Sequence, residues 1–578
     1  MTERPFSILG IPATLCLLFC GFTIRAAQSQ ASGEGIYFQK IRTLHSAEEF
    51  KRLTGGKVSL HRQNQWKRAD GGTLIGTRSG VILRNAEGAT EPFPGNRALP
   101  WNEITVVAEE RPGIVWLGTT RGAIRLDVGD KNELEYFAGR RWLSDDRVKG
   151  LGFDNSQPGV AVWIETDTGF SRVSYSPMTL EQKAKHFEDR VRARHVRHGF
   201  TADSRLLVPG DLTSSRMISS DNDGLWTAMY VAAECFRFKV TGDSAARDFA
   251  RQGIQAMMRL ESITGIRGFP ARSFIKPDTE AQPKDGEWHA TADGAWKWKG
   301  DTSSDEIVGH YLGYAVYYDL VADEAEKKEI SALVDRITTH ILDHGYHLFD
   351  LDGKPTRWGW WAPDEIWTDP DETGLRALHI LSHLKVAEHI TNNPRYTAAY
   401  DELVTRHRYA QLTRNQKINI PGRINHSDDE LAFLSYYPLL RYETDAGLRA
   451  LYTESLERSW QCERAERNPL WNYIYAAGTG DRNRDAAESV RTLRRIPWDL
   501  VSWPVMNSHR LDVTLDPVAD RFKQKQSLLV LPPDERPQMK WNGNPYAPDG
   551  GGSGKSEDDG AFFLLPYWMG RYHGFIRN

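Results

Sequence analysis

Six segments of this chain are apolar on nearly every side of a helix, and the segments between them carry only one apolar stripe. The apolar ones start at Ser219 (SSDNDGLWTAMYVA), Ser303 (SSDEIVGHYLGYAVYY), Asp369 (DPDETGLRALHIL), His426 (HSDDELAFLSYYPLL), Asn468 (NPLWNYIYAAG) and Ser556 (SEDDGAFFLLPYW). The striped ones include TGDSAARDFARQGIQAMMRL, ADEAEKKEISALVDRITTHIL and NPRYTAAYDELVTRHRYA. A helix that is apolar all round must be buried, whereas one with a single stripe lies against a core with its other side in water. Strict alternation of the two kinds therefore specifies an inner ring of six helices wrapped by an outer ring. The segment from Thr179 (TLEQKAKHFEDRVRARHVRHG) has no inner helix before it, and the apolar helix from Ser556 has no outer one after it. These two are expected to pack together and close the ring over residues 177–578.

The starts of the apolar segments carry capping chemistry. Ser303 with Glu306 and Ser427 with Glu430 have capping-box spacing, and Asp369 and Asn468 each precede a proline suited to the first helical position. The alternation and these starts resemble the six-hairpin (α/α)6 toroid superfamily, which includes glycan-active enzymes. The likeness is one of pattern and singles out no enzyme family.

Before residue 177 the texture differs. Residues 1–29 read as a secretory signal: Arg4, an apolar run from Phe6, then small residues ending Ala27-Gln28-Ser29. A mature chain without it keeps only Cys235 and Cys462 of the four cysteines, so no disulfide framework is expected. Residues 30–176 contain three related stretches, TLIGTRSGVILR, VWLGTTRGAIRL and VWIETDTGFSRV, with reference glycines Gly80, Gly122 and Gly169. Short alternating strands around a glycine turn, repeated at this interval, read as β units. They resemble the propeller repeats of two-component regulators, although three copies are too few to close an ordinary propeller. The expected fold is thus mainly α: an (α/α)6 toroid preceded by an all-β, propeller-like region.

In an alternating ring the inner helices all point the same way, so their acidic starts gather around one mouth. Asp221, Asp223, Asp305, Glu306, Asp371, Glu372, Asp428, Asp429, Glu430, Asp558 and Asp559 belong to that rim. Crowded carboxylates raise one another's proton affinity, which yields the protonated and ionised pair that glycoside hydrolysis uses. Asp305 or Glu306 is the expected partner of Asp429 or Glu430, with Asp301 and Asp364 in reserve. Two tryptophan-rich loops feed the same mouth and supply Arg272, His289, Trp296, Lys297, Trp298 and Lys299, then Trp358, Trp360, Trp361 and Trp367. Flat rings stack on sugar faces and cations hold hydroxyls or carboxylates, so these residues, with Asn425 and Trp471, are candidate substrate contacts.

Hydrolysis of a polysaccharide or oligosaccharide is the favoured reading. The first alternative is a uronate lyase in which His289 or His426 with Tyr436 moves protons and Arg272 or Arg423 grips the carboxylate. The second is a non-catalytic glycan-binding or sensor protein. No cofactor is expected and no metal signature stands out. The net charge of −4 offers no field for nucleic acid, and no stable membrane span is expected once the signal is removed.

Overall fold

The computed structural model describes residues 35–128, 133–157, 159–481, 485–537 and 540–577, so the expected leader lies outside the described residues. Twelve helices alternate as outer and inner elements. The outer ones are α1 (Leu180–Arg194), α3 (Ser244–Ser262), α5 (Glu324–Asp343), α7 (Pro394–Thr405), α9 (Ala446–Glu463) and α11 (Ala486–Arg495). The inner ones are α2 (Asp223–Thr241), α4 (Ser304–Leu320), α6 (Thr373–Thr391), α8 (His426–Tyr442), α10 (Pro469–Thr479) and α12 (Ala561–Tyr572). Each inner helix packs on the next, α12 packs back on α2, and α1 packs on α12, so the ring is closed as its alternation required. One continuous apolar core runs through all six inner helices. No helix among the described residues is long and apolar enough to cross a membrane.

Four of the six inner starts differ from their reading in sequence. Ser303 flanks α4, but its hydroxyl donates to Asn222 Oδ1 (3.2 Å) and caps nothing. Glu306 reaches across to accept the N–H of Gly224 at the start of α2 (2.8 Å). At α8 the capping position falls on Asn425, which leaves Ser427 inside the first turn. Asp369 instead makes a tight turn by accepting the N–H of Asp371, and α6 begins only at Thr373. Ser556 and Glu557 form a short strand against Ser204–Leu206, and Gly560 in the left-handed region precedes α12. Asn468 does behave as read, accepting from Leu470 N at 2.9 Å with Pro469 in the first turn.

Neighbouring inner helices approach closely through glycines. A Cβ on Gly309 of α4 would lie 2.4 Å from the Cα of Leu225 on α2, where no side chain can yield. Gly309→Ala should therefore push α2 and α4 apart and destabilise the fold by about 1–3 kcal/mol, the usual range for overpacking. Urea unfolding checks this, and an unchanged midpoint would show that the two backbones move freely.

The N-terminal part forms three four-stranded antiparallel sheets. Two follow chain order, Gln65–Lys67 to Thr90–Pro92 and Ile104–Arg111 to Leu134–Phe137. The third joins Val148–Gln157, Gly159–Thr166 and Phe170–Met178 to the early strand Tyr37–His45. The repeat seen in sequence recurs as geometry: Thr77, Thr119 and Thr166 each donate a hydroxyl to the carbonyl of Gly80, Gly122 and Gly169, all three glycines having positive φ. The middle sheet shares one apolar core with the first and another with the third, and the three do not join into a closed sheet.

Candidate active site

The acidic starts of α4, α6 and α8 meet at one mouth, and their consecutive residues face different ways. Between α6 and α8 lies a cavity of about 270 Å³ whose wall includes Asp369, Asp371, Glu372, Asn425, Asp428 and Arg521. Glu372 and Asp428 are both half-buried there. Burial raises the proton affinity of each. The field of Glu372 adds to that of Asp429 in holding Asp428 well above the usual carboxylate range. Glu372 is raised by burial against the opposing Arg376 guanidinium, with Asp369 and Asp305 contributing. Asp305, in the first turn of α4, adds its charge to what raises Glu372, Asp428 and Glu430.

Glu430, two residues beyond Asp428, is buried, and neither carboxylate oxygen has a hydrogen-bond partner. Burial, opposed by Lys540 and reinforced by Asp305, pushes its pKa up to about 8. The folded protein thus keeps a proton that the unfolded chain releases above its ordinary pKa near 4.3. This contribution to stability is complete below that ordinary value and is lost as pH rises toward 8, at up to about 1.4 kcal/mol per pH unit. Glu430→Gln removes the titration. The variant should gain on the wild type between pH 5 and pH 8 in chemical denaturation, and a gap independent of pH would refute the assignment.

The long connection from α11 to α12 covers part of the mouth. Its Lys540 lies 4.6 Å over the Trp226 ring of α2 and pairs with Asp203 (2.9 Å) and Asp558 (3.6 Å). Burial raises the Asp558 carboxyl to about 6 against the pull of Lys540, and Asp559 lies beside it, accepting the Ala561 N–H (2.8 Å).

The other expected site residues fall into several groups. Glu306 is wholly buried between α4 and α2, raised by burial and by Asp223, and holds the α2 start. Asp223 is equally buried and accepts from Arg197 and Ser273. Asp429 turns to Lys417 (2.7 Å), with burial and Glu463 raising it to about 6. His426 is half-buried, its Nδ1 3.3 Å from Glu466. Asn425 flanks α8 and lines the cavity, whereas Asp364 is exposed outside it.

The aromatic cleft expected from the two loops does not form. Trp298 is buried in a small three-stranded sheet with Phe274 and the half-buried His289, and Trp361 is core beneath Tyr409 and His383. Trp296 lies under Arg259 at 4.0 Å, against an outer helix. Trp471 stacks on Phe433 inside the ring, and the Tyr436 hydroxyl is spent on Ser455. Each is apolar enough to be worth more to the core than to a cleft. Lys297 bonds Gln282, while Lys299 and Arg272 both pair with Asp221. Asp301 braces the two loops, donating its N–H to Asp350 and accepting that of Arg357 (2.8 Å).

Trp360 stays near the mouth, with the Arg376 guanidinium 3.5 Å over its ring, and that arginine also lies 3.7 Å from Glu372. Trp358 and Trp367 keep exposed rings on the same loop. The cavity pair, Glu372 and Asp428, was legible only as part of the acidic rim. No signal in the chain distinguishes it from the adjacent acids.

No protein-family model matches the chain, and no curated protein matches it. Among solved structures it is similar to a glycoside hydrolase family 76 mannosidase from Bacteroides thetaiotaomicron at 11% identity and TM-score 0.37, over 68% of this chain and 98% of that one. It is similar to AaCel9A in complex with cellobiose-like isofagomine at 11% identity and TM-score 0.34, over 80% of this chain and 97% of that one. A polysaccharide lyase matches at 9% identity and TM-score 0.26, over 74% of this chain and 85% of that one. These likenesses are loose, and the closed helical ring is established by the chain's own packing.

Proposed function

We propose that this protein is a carbohydrate-active enzyme that hydrolyses glycosidic bonds of a polysaccharide or oligosaccharide, with Glu372 and Asp428 as its acid and base. The observation that carries the reading is that these two carboxylates share one cavity wall and are both held above the ordinary range, Asp428 in part by the charge of Glu372. Two coupled acids of this kind hold one proton between them over a span of pH. The protonated member gives its proton to the leaving glycosidic oxygen. The ionised member takes one from water as that water adds to the sugar carbon. Trp358 and Trp367 offer exposed ring faces for sugar stacking at the rim.

The lyase alternative loses its proton donor, since Tyr436 is buried and committed to a serine. A panel of neutral and acidic polysaccharides, read for new reducing ends and for the ultraviolet absorbance of an unsaturated uronate, tests the reading. Reducing ends without absorbance are expected. Absorbance would establish elimination, and neither signal across the panel would favour the non-catalytic glycan-binding alternative. We further propose, from the leader in residues 1–29, that the protein is exported to the periplasm or medium, and from the repeat geometry that its three sheets are propeller-like units.

A further inference from the structure

A larger cavity lies away from the acidic mouth, where the N-terminal sheets meet the α11–α12 connection. It encloses about 480 Å³, and its wall includes Arg121, Arg140, Arg141, Asp146, Met506 and His509. Arg141 is only 2% exposed. Its Nη1 donates to the carbonyls of Asp534 and Arg536 (3.2 and 2.7 Å), yet its Nε and Nη2 have no partner among the described residues. A buried guanidinium with unpaired N–H groups is costly unless something else accepts from them.

Two more guanidiniums on this wall have no carboxylate partner among the described residues. Arg121 is exposed and lies 4.6 Å over the Trp101 ring, and Arg140 is exposed, donating to the Ser144 carbonyl (3.2 Å). His509 packs edge-on against the same Trp101, and neither of its ring nitrogens is satisfied. The acids of the wall are largely compensated. Asp534 pairs with Lys40 (2.5 Å) and Arg495 (2.8 Å), while Glu535 pairs with Arg495 (3.0 Å) and Arg510 (2.8 Å). Among the described residues Asp146 has no ion-pair partner, and it accepts the Gly139 N–H (2.7 Å). Three guanidiniums thus face a single uncompensated carboxylate, beside apolar surface from Trp142, Val505 and the exposed Met506.

We propose that this cavity is a second, non-catalytic binding site for an anionic saccharide, with the arginines taking its carboxylate or sulfate and the apolar wall taking the sugar body. Guanidiniums match such oxyanions bidentately, and a planar or apolar wall accepts a sugar face. The choice of a saccharide rests on the glycan-cleaving reading of the acidic mouth; the choice of an anion does not.

Calorimetry with trigalacturonic acid, maltotriose as its neutral counterpart, and sodium sulfate tests the proposal at constant ionic strength. Trigalacturonate should bind the wild type at least about ten-fold more tightly than maltotriose. Arg121→Gln combined with Arg140→Gln, both on exposed side chains, should abolish that preference without moving the melting temperature. Asp428→Asn should leave it intact, which separates this site from the proposed active site even if the latter is misassigned. A preference that survives the double arginine variant, sulfate binding as tightly as trigalacturonate, or no binding of trigalacturonate would each overturn the proposal.

Discussion

Asp428→Asn and Glu372→Gln should each lower turnover by about 100-fold to 10,000-fold, the usual cost of removing a general acid or base. Both side chains are half-buried on a cavity wall, and both are held above the ordinary carboxylate range by burial and by neighbouring acids. Removing Asp428 relieves repulsion, so the melting temperature of Asp428→Asn should stay level or rise while activity falls, whereas Glu372→Gln also takes a carboxylate from the buried Arg376 guanidinium 3.7 Å away and is read by turnover alone. That opposite movement separates catalysis from capping, because loss of a cap lowers stability. The wild-type pH profile should fall on both sides of an optimum, since the mechanism needs one protonated and one ionised member. In each variant the limb belonging to the missing group should vanish. If both variants retain near wild-type turnover on a substrate the wild type cleaves, the cavity is not the active site, and Asp305 with Glu430 becomes the next pair to test.

The second large effect concerns stability. Lys417 is buried with its ammonium against Asp429 and Glu463, and Glu466 and His426 lie beside them. Lys417→Met removes the cation that these acids share and should destabilise the protein by about 3–5 kcal/mol at pH 8, the range for breaking a buried ion pair from one side. In the wild type, burial and neighbouring acids already raise Glu463 to about 8 and Asp429 to about 6. Without the lysine their proton affinities rise further. A folded acid with a raised pKa binds more protons than its unfolded counterpart, so stability is kept at low pH and lost as pH rises. The deficit of the variant should therefore shrink between pH 8 and pH 5 in urea unfolding. Equal deficits at both pH values would show that the lysine contributes packing and not charge.

The ring was legible because a helix apolar on all sides has only one place to go, and the six such segments are separated by striped ones. The ring-closing contact between α1 and α12 followed from the same count. What the chain could not convey is the direction each acid faces. Successive residues of a helix point about 100° apart. In the first turn of α8, Asp428 is half-buried on the cavity wall, Asp429 borders the same cavity but is buried against Lys417, and Glu430 is buried without a hydrogen-bond partner among the described residues. The capping boxes failed for a related reason. Glu306 has the right spacing from Ser303, but α2 lies close enough to offer the Gly224 N–H. The tryptophans misled because composition shows that a loop can stack on sugar, while only packing shows that Trp298 and Trp361 are already covered.

The closing contact of the ring also bears on how the molecule assembles. The chain from Arg194 at the end of α1 to Ala561 at the start of α12 must be synthesised before those two helices can meet. Until then the apolar flanks of α1 and α2 that α12 covers are without that partner. Contacts so distant along the chain form slowly and leave such surfaces open to self-association. Protection of those flanks until the chain is complete, more than the stability of any one hairpin, should therefore set the yield of active protein.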